Sequence, residues 1–450
     1  MRVFVQSFGC RVNQYEGEKI RQDMVSGGAT DAVGYEDADV CVINTCTVTG
    51  NADSDARLLA RRVQRRNPAA KLIITGCYAS VAREELRRLF PEALIVGNDG
   101  KGSIAALSGC SMGLTEDSAL TAFLGHTRAF IKVQDGCNMH CTYCIIPSAR
   151  SVMGSRPLAQ VIAEVEGLYA KGHREFVFCG IRLGRYWSQG ADGRFSDLGA
   201  LVRAVSAIDG DFRIRLSSIE ITDLTDRFLE GYVADAKTVP YFHVPVQSGS
   251  DRVLSSMKRW YTSRFFADRV ERVRAVVGAD TAVFTDYMVG FPTETEEDFR
   301  DSLDFAKQVG FAGMHIFRYS PREGTPAAAM TPVYTPEQLN ERIAMARAVD
   351  ERLRRDYASR FMGARIMALK ETQTQQGAIA RAENFLEVEL PVGDIADGWR
   401  EVTVSATKGP RLVAAGDPPL AGRASPEARI SASGATSAVS TANGLRRGTA

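Results

Sequence analysis

The sequence predicts an α/β protein in three parts: an N-terminal parallel α/β domain, a central open, partial (β/α)6 barrel, and a small C-terminal β-barrel. Three observations carry this. Short apolar runs alternate with helical patterns over the first hundred residues, the rhythm of a parallel sheet covered by helices. A second alternation begins at Ala129 and makes six β/α steps to residue 318. Beyond one long capped helix, residues 364–415 change to short alternating strands with Gly and Asp turns.

The first part, 1–100, carries strand-like runs at 3–8, 40–43, 72–75 and 94–96, with helix-like segments near 15–26, 51–66 and 80–90. Residues 101–127 are punctuated by Gly and Ser and read as a linker. The central part, 128–360, has strand-like runs at 129–134, 175–179, 212–216, 241–246, 282–289 and 313–318. Helical patterns such as "RPLAQVIAEVEGLYAKG" and "ETEEDFRDSLDFAKQVG" fill the gaps. Six steps are two short of the eight that close a full barrel, so an open barrel with a mouth wide enough for a large substrate is expected. Residues 335–363 read as a long helix with a Thr335–Gln338 capping box, Pro336 in its first turn and Gly363 at its end. Residues 361–415 have the size and texture of a barrel of the oligonucleotide-binding type. The tail, 416–450, is mostly Ala, Gly, Ser and Thr and is expected to be disordered.

At 450 residues the chain has room for two or three domains and a substantial core. Its 45% hydrophobic and 24% charged residues are ordinary for a soluble globular protein. A formal charge of +1 argues neither for nor against nucleic acid, so such a partner would need local basic patches. The opening "MRVFVQSFGC" lacks the apolar core and cleavage site of a signal peptide, and no apolar run is long enough to span a membrane. The expected location is the cytoplasm. Nine cysteines are an odd number for a disulfide framework, and in that compartment they serve better as ligands or small buried hydrophobes.

Three cysteines, Cys137, Cys141 and Cys144, fall in the loop after the first barrel strand, spaced C-x3-C-x2-C. Structural zinc usually takes four closed ligands. A three-thiol loop suits an iron–sulfur cube with one iron left open, at the end of the barrel where such enzymes do their chemistry. A small molecule with an amine and a carboxylate, such as S-adenosylmethionine, fits that open iron. The other reading is a zinc knuckle completed by His140 or a distant residue. Cys10, Cys46 and Cys77 each follow one of the first three strand runs. Ligands gather at the carboxyl ends of strands in open α/β sheets, so these thiols form a second candidate triad. The alternative is three buried strand-end cysteines. Cys41 and Cys179 read as packing residues, and Cys110 has no assigned role.

In order along the chain, "FGCRVNQYEGEK", "VINTCTVT", "TGCYA", "HTRAFIKVQDGCN", "CIIPSAR", "HVPVQSGSD", "VGFPTETEEDF" and "REGTPAA" resemble the radical S-adenosylmethionine methylthiotransferase family across roughly residues 1–415. The resemblance implies one [4Fe–4S] cluster on Cys137, Cys141 and Cys144, and an auxiliary one on Cys10, Cys46 and Cys77. It implies a TRAM module, a small RNA-binding barrel, at the C-terminus. "GCRVNQYE" and "TRAFIKVQDGCN" most resemble the branch acting on N6-threonylcarbamoyladenosine beside the tRNA anticodon. The branches acting on isopentenyladenosine and on an aspartate of a ribosomal protein follow. Ser148, Ser151, Cys179 and Arg182 stand where the family commonly has other residues.

The implied reaction places a methylthio group on carbon 2 of an adenine, a C–H bond that side-chain acid–base chemistry does not readily break. The family uses reductive cleavage of S-adenosylmethionine, a second S-adenosylmethionine for methylation, and an external one-electron donor. Tyr143, Gly180, Ser218, Glu220, Gln247 and Ser248 are the candidate cofactor contacts, since Tyr143 lies in the cysteine loop and the others lie at strand ends. Arg57, Arg61, Arg62, Arg65 and Arg66 in "RLLARRVQRR" are the candidate RNA contacts, although a run of this kind usually means a solvated helix face. Residues 361–415 hold six Lys or Arg against seven Asp or Glu, so RNA binding there would need a local patch or stacking by Phe385 or Trp399. A structural lid is the other reading of that barrel. A cluster carrier that does not cleave S-adenosylmethionine is the non-catalytic alternative. The sequence does not give the oligomeric state.

Overall fold

A computed structural model describes residues 1–48, 50–111, 119–123, 127–190, 192–375, 377–391 and 398–415. The tail 416–450, and stretches 112–118 and 124–126 of the segment read as a linker, lie outside the described residues.

The N-terminal sheet contains β1 (Arg2–Ser7), the two-residue β2 (Thr30–Asp31), β3 (Val40–Thr45), β4 (Lys71–Gly76) and β5 (Leu94–Val96). All pair in parallel, in the order β2-β1-β3-β4-β5. The two-residue period of β3 divides its side chains between two cores. Val40 and Val42 pack with Val3, Ile20 and Ile73, while Cys41 and Ile43 pack on the other face with Ala56, Leu72 and Ile74. Crossovers are made by α1 (Arg11–Ser26), α2 (Gly50–Arg66), α3 (Cys77–Val81) and α4 (Arg83–Leu89). The segment near 80–90, expected as one helix, is two, divided at Ala82. Within the expected linker, α5 (Ile104–Ser108) is ordered because Ile104 and Ala105 pack into the core beside Met24.

The central part supplies six parallel strands: β6 (Arg128–Asp135), β8 (Glu175–Gly180), β11 (Arg213–Leu216), β12 (Tyr241–His243), β13 (Ala282–Val289) and β14 (Gly313–Arg318). Between them lie the two-residue β7 (Gly154–Ser155), paired with the end of β6, and a hairpin of β9 (Trp187–Gln189) and β10 (Phe195–Asp197). β11-β8-β6-β7 and β12-β13-β14 form two ladders, joined by the single bridges Ile214↔Thr238 and Ser218↔His243. Among the described residues β14 does not pair with β6, so the barrel is open. The outer helices are α6 (Ile146–Ala149), α7 (Leu158–Ala170), α8 (Leu198–Ser206), α9 (Asp226–Val233), α10 (Asp251–Ser256), α11 (Ser263–Val277) and α12 (Glu296–Val309). Thr295 and Asp298 form a capping box on α12.

α13 (Pro336–Ser359) starts with the expected Thr335–Gln338 capping box and stops four residues before Gly363. Beyond it, β15 (Arg365–Thr374), β16 (Gly377–Ala382), β17 (Glu387–Leu390), β18 (Trp399–Lys408) and β19 (Arg411–Ala414) close into a barrel in the order β15-β16-β17-β19-β18.

This small barrel sits against the amino ends of the central strands. Arg215 on β11 forms a fully buried bidentate pair with Glu175 on β8, at 2.7 and 3.1 Å, and also donates to the carbonyl of Glu383 at 2.9 Å. Arg128, at the start of β6, pairs with Glu371 at 2.9 Å. Phe385 lies beneath the barrel, its ring 4.8 Å from Tyr241 and 6.0 Å from Phe284. The indole of Trp399 donates to the Arg174 carbonyl at 2.7 Å. Both aromatics are therefore engaged with the central barrel, as the reading of this barrel as a structural lid implies. No helix among the described residues is long and apolar enough to cross a membrane.

Candidate active site

Each cysteine of the first triad stands where a strand gives way to a helix. Cys10 caps α1, Cys46 follows β3, and Cys77 opens α3. Cys10 is exposed, while Cys46 and Cys77 are buried. The approach is close: a Cβ on Gly9, whose φ is +89°, would lie 2.5 Å from the Cys46 sulfur. Only glycine meets both the conformation and the space. Burial raises the Cys46 thiol to about 11.

The second triad occupies the loop between β6 and α6, at the carboxyl end of the barrel. A Cβ on Gly136 would collide with the Val152 carbonyl at 2.1 Å, so the loop folds back tightly at that point. Gln134 braces it, donating to the carbonyls of Asp135 (2.5 Å) and Gly136 (2.9 Å) and accepting from the Arg182 amide at 2.7 Å. Cys141 is buried, while Cys137 and Cys144 are half-buried. Burial first, and then the neighbouring Cys141 and Cys137, hold the Cys144 thiol at about 12. Metal or cluster binding at Cys46 and Cys144 must therefore displace protons.

Among the described residues, the one set of three His, Cys, Asp or Glu groups whose ligand atoms all lie within 4.8 Å of one another is His243, Asp286 and His315. Neither cysteine triad converges that tightly. A wider, several-iron cluster fits this donor set.

Arg150 joins the two triads. Its carbonyl accepts the Cys137 amide at 3.2 Å, and its Nε donates to the Cys77 sulfur at 3.3 Å. Its guanidinium also holds Glu16 at 2.6 and 2.8 Å, Asp135 at 2.8 and 2.9 Å, and Asn13 at 3.0 Å. Lys101 and Lys132 complete the surroundings of Glu16. Burial works against the charged form of Glu16, but those three cations hold its carboxyl well below the usual range. The sequence reading missed Arg150, although it stands in "CIIPSAR", because its partners lie as far away as residue 13.

Of the expected cofactor contacts, Tyr143 packs against the cluster of Val253, Met257 and Phe291, and burial raises its phenol well above the usual range. Gly180 ends β8, and a Cβ there would meet Gln134 at 3.0 Å. Glu220 pairs with Arg259, which donates to the Cys141 sulfur at 3.5 Å and to the Tyr261 hydroxyl at 3.1 Å. Arg259 is a second residue that the sequence reading missed. Gln247 holds a φ of 68°, which is strained for a residue with a side chain, and its buried amide oxygen has no protein partner. Ser218 bonds His243 at 2.6 Å. Ser248 is fully buried and bonded to Ser302 at 3.1 Å, beside the start of α10. The structure thus gathers Tyr143, Gly180, Glu220 and Arg259 around the second triad and sets Ser248 into the packing behind it.

On α2, Arg61, Arg62, Arg65 and Arg66 are exposed. Arg57 turns inward, donating to the Tyr78 hydroxyl at 2.6 Å.

Residues 131–306 match the Radical SAM superfamily, and residues 2–97 match the uncharacterized protein family UPF0004. A threonylcarbamoyladenosine tRNA methylthiotransferase, MtaB, of Bacillus subtilis is 36% identical over 86% of this chain and 89% of its own. The chain belongs to the radical S-adenosylmethionine methylthiotransferase family. The MtaB of Thermotoga maritima is 32% identical over 90% of this chain and 94% of its own. The tRNA-2-methylthio-N(6)-dimethylallyladenosine synthase of Roseobacter denitrificans is also 32% identical, over 82% and 88%. The radical S-adenosylmethionine methyltransferase TsrM of Kitasatospora setae shares the fold, with a TM-score of 0.53 over 73% of this chain and 77% of that one, at 14% identity. As a family member, this protein is an enzyme that uses S-adenosylmethionine and an iron–sulfur cluster, and the loop of Cys137, Cys141 and Cys144 has the donor set for that cluster.

Proposed function

We propose that this methylthiotransferase modifies carbon 2 of N6-threonylcarbamoyladenosine in tRNA, with two [4Fe–4S] clusters, one on each cysteine triad. The observation that carries the proposal is the arrangement of two three-thiol sets at one barrel mouth, tied together by Arg150. The several MtaB relatives that match most of the chain support the substrate. Bound clusters supply what no side chain here can: an electron for reductive cleavage of S-adenosylmethionine, and a sulfur that can be methylated and transferred.

The chain's own residues bind and orient. Cys137, Cys141 and Cys144 hold one cluster; Cys10, Cys46 and Cys77 hold the other. Arg259, set between Cys141 and Glu220, offers a fixed cation beside the first, while Tyr143 and Gly180 shape the cofactor's seat. The exposed arginines of α2 meet tRNA phosphates, an external reductant supplies electrons, and the enzyme works in the cytoplasm.

The test is anaerobic: reconstituted and reduced protein, S-adenosylmethionine and tRNA carrying threonylcarbamoyladenosine, followed by mass spectrometry of digested nucleosides. A methylthio mass gain on that nucleoside, lost in both Cys10→Ala and Cys141→Ala, is the expected result. 5′-Deoxyadenosine formed without that product would refute the substrate and point to isopentenyl tRNA or a ribosomal protein.

A further inference from the structure

Phe385 and Trp399 of the small barrel are engaged with the central one, so aromatic rings open to solvent lie elsewhere. Three of them border the loop of Cys137, Cys141 and Cys144. Trp187 on β9 is 59% exposed, Phe195 on β10 is 54% exposed, and Trp260, between α10 and α11, is 63% exposed. A single exposed ring is ordinary, but rings grouped at one end of a barrel mark an interaction surface.

Trp187 and Phe195 stand diagonally across the β9–β10 hairpin, and their rings stack at 5.2 Å with 19° between the planes. The hairpin leaves the carboxyl end of β8 through the turn Leu183–Arg185. It is fixed there. The Trp187 amide donates to Ser155 Oγ at 3.0 Å, and the hydroxyl of buried Tyr186 donates to the Arg156 carbonyl at 2.9 Å. Ser155 lies on β7, which pairs with the end of β6 just before Cys137. Trp260 is tied to the same loop. It follows Arg259, whose guanidinium donates to the Cys141 sulfur at 3.5 Å. Thr142 donates to the carbonyls of Ser256 and Met257 at 2.9 and 3.1 Å. Arg182, which opens the turn into the hairpin, lies 5.9 Å from the centre of the Trp260 ring, a cation–π distance. Its Nε is buried without a hydrogen-bond partner, 3.9 Å from Asp223.

We propose that Trp260 and the Trp187–Phe195 pair are stacking platforms for the unpaired RNA bases that flank the target adenosine. The inference rests on tRNA being the substrate and deepens it. A base drawn out of an RNA loop to the second triad brings its chain neighbours to the rings that border that triad. Bases unstacked in this way lose their π-contacts, and proteins that read single-stranded RNA restore them on aromatic side chains. The Trp187–Phe195 pair already holds the near-parallel geometry of a base stack, which a base on its outer face would continue. Both platforms belong to segments bonded to the cysteine loop, so little ordering is needed on binding. Arg185 and Arg194, 53% and 89% exposed at the two sides of the hairpin, are loosely met by Asp223 at 3.9 Å and Asp192 at 3.7 Å and can turn to phosphates. A protein reductant could also use exposed rings, but their place beside the triad that the target base must reach favours RNA.

The experiment uses the full reconstituted chain, compared at equal iron content, and an anticodon stem-loop RNA carrying N6-threonylcarbamoyladenosine. Two further RNAs have an abasic residue directly 5′ or 3′ of that nucleoside. Filter binding gives Kd, and mass spectrometry gives methylthio product. Loss of one base–aromatic stack predicts that Trp187→Ala and Trp260→Ala each weaken binding of the intact RNA by about 10-fold. Trp260→Phe keeps most of the affinity. The deciding readout is non-additivity: one abasic RNA should bind wild type about 10-fold more weakly than intact RNA, and the matching variant should show no further loss on it. Equal affinity of wild type and both variants for intact RNA, with product still formed, would overturn the platforms and leave the substrate standing. Losses of the same size on intact and abasic RNA would also overturn them, because the rings would then act through the fold. Unchanged RNA affinity, with turnover lost under a protein reductant but kept under dithionite, would assign the rings to the electron donor instead. Neither affinity nor product from wild type with any tRNA would overturn the substrate reading, and the platforms with it.

Discussion

Replacing Glu175 by Gln should loosen the C-terminal barrel from its seat. Glu175 is fully buried, and Arg215, also fully buried, grips it with two nitrogens. Arg128 and Arg381 add to the positive field, and these arginines hold the carboxyl below its usual range against the burial that raises it. With Gln, Arg215 keeps a hydrogen-bond partner but loses its counter-charge. Removing one member of a buried pair costs about 3–5 kcal/mol, and the lower end applies because the amide still accepts. The cost falls on the docked state, since Arg215 is roofed by the carbonyls of Ala382 and Glu383 and becomes hydrated when the small barrel lifts away. About 3 kcal/mol is roughly a 150-fold rise in the undocked population. Trypsin reads this at Arg360 and Arg365, which flank the turn between α13 and β15. At low protease the cutting rate follows the open population, so release of the C-terminal fragment should accelerate by about two orders of magnitude. An increase below about 5-fold, with the clusters retained, would refute the reasoning.

Glu294 is buried, and burial outweighs the Gly290 amide and Arg342 to raise its carboxyl from 4.5 to about 7. A folded pKa above the unfolded one gives stability that is present at low pH and lost as pH rises through 7. Glu294→Gln should match wild type near pH 4.5 and exceed it by about 3 kcal/mol at pH 8, read from urea midpoints; a difference independent of pH would refute this. Arg259→Gln removes the cation between Cys141 and Glu220, and the yield of 5′-deoxyadenosine per bound iron should fall by about 10-fold or more. An unchanged yield would place S-adenosylmethionine elsewhere. Neutralising the exposed Arg61 and Arg65 together should reduce the slope of log affinity for tRNA against log salt by between one and two, measured by filter binding. An unchanged slope would leave α2 as a solvated face.

What the sequence made legible was local. All six barrel strands, and the places of the six cysteines at strand ends and in the loop after β6, were readable because apolar runs, punctuation and cysteines recur together over short spans. The strand read at 241–246 is three residues long, since Pro245 cannot continue a ladder and Gln247 turns to positive φ. α1 begins at Arg11, before the apolar pattern is established, because Cys10 caps it without any side-chain hydrogen bond to announce the start. The long-range partners were hidden. The contacts of Phe385 with the rings of Tyr241 and Phe284 leave no trace in the residues near it in sequence. Arg150 shows only as a charge at the end of a motif, and the set of His243, Asp286 and His315 gathers one residue from each of three strands.

The network around Glu16 explains why the two triads stay at a fixed separation. Glu16 comes from α1, Lys101 from the turn after β5, Lys132 and Asp135 from β6, and Arg150 from the loop that carries Cys144. Three cations against two carboxylates leave one positive charge, and Arg150 directs it at Cys77. Three thiolates need such a charge, because burial alone favours the neutral thiol. The Arg150 side chain is 2% exposed, so swinging the N-terminal domain away would strand a buried arginine and a buried glutamate together. Breaking a single buried pair already costs about 3–5 kcal/mol, and this network has several. Domain opening is therefore the expensive route for an RNA substrate. The edge between β6 and β14, unpaired among the described residues and with His315 exposed on β14, is the inexpensive one.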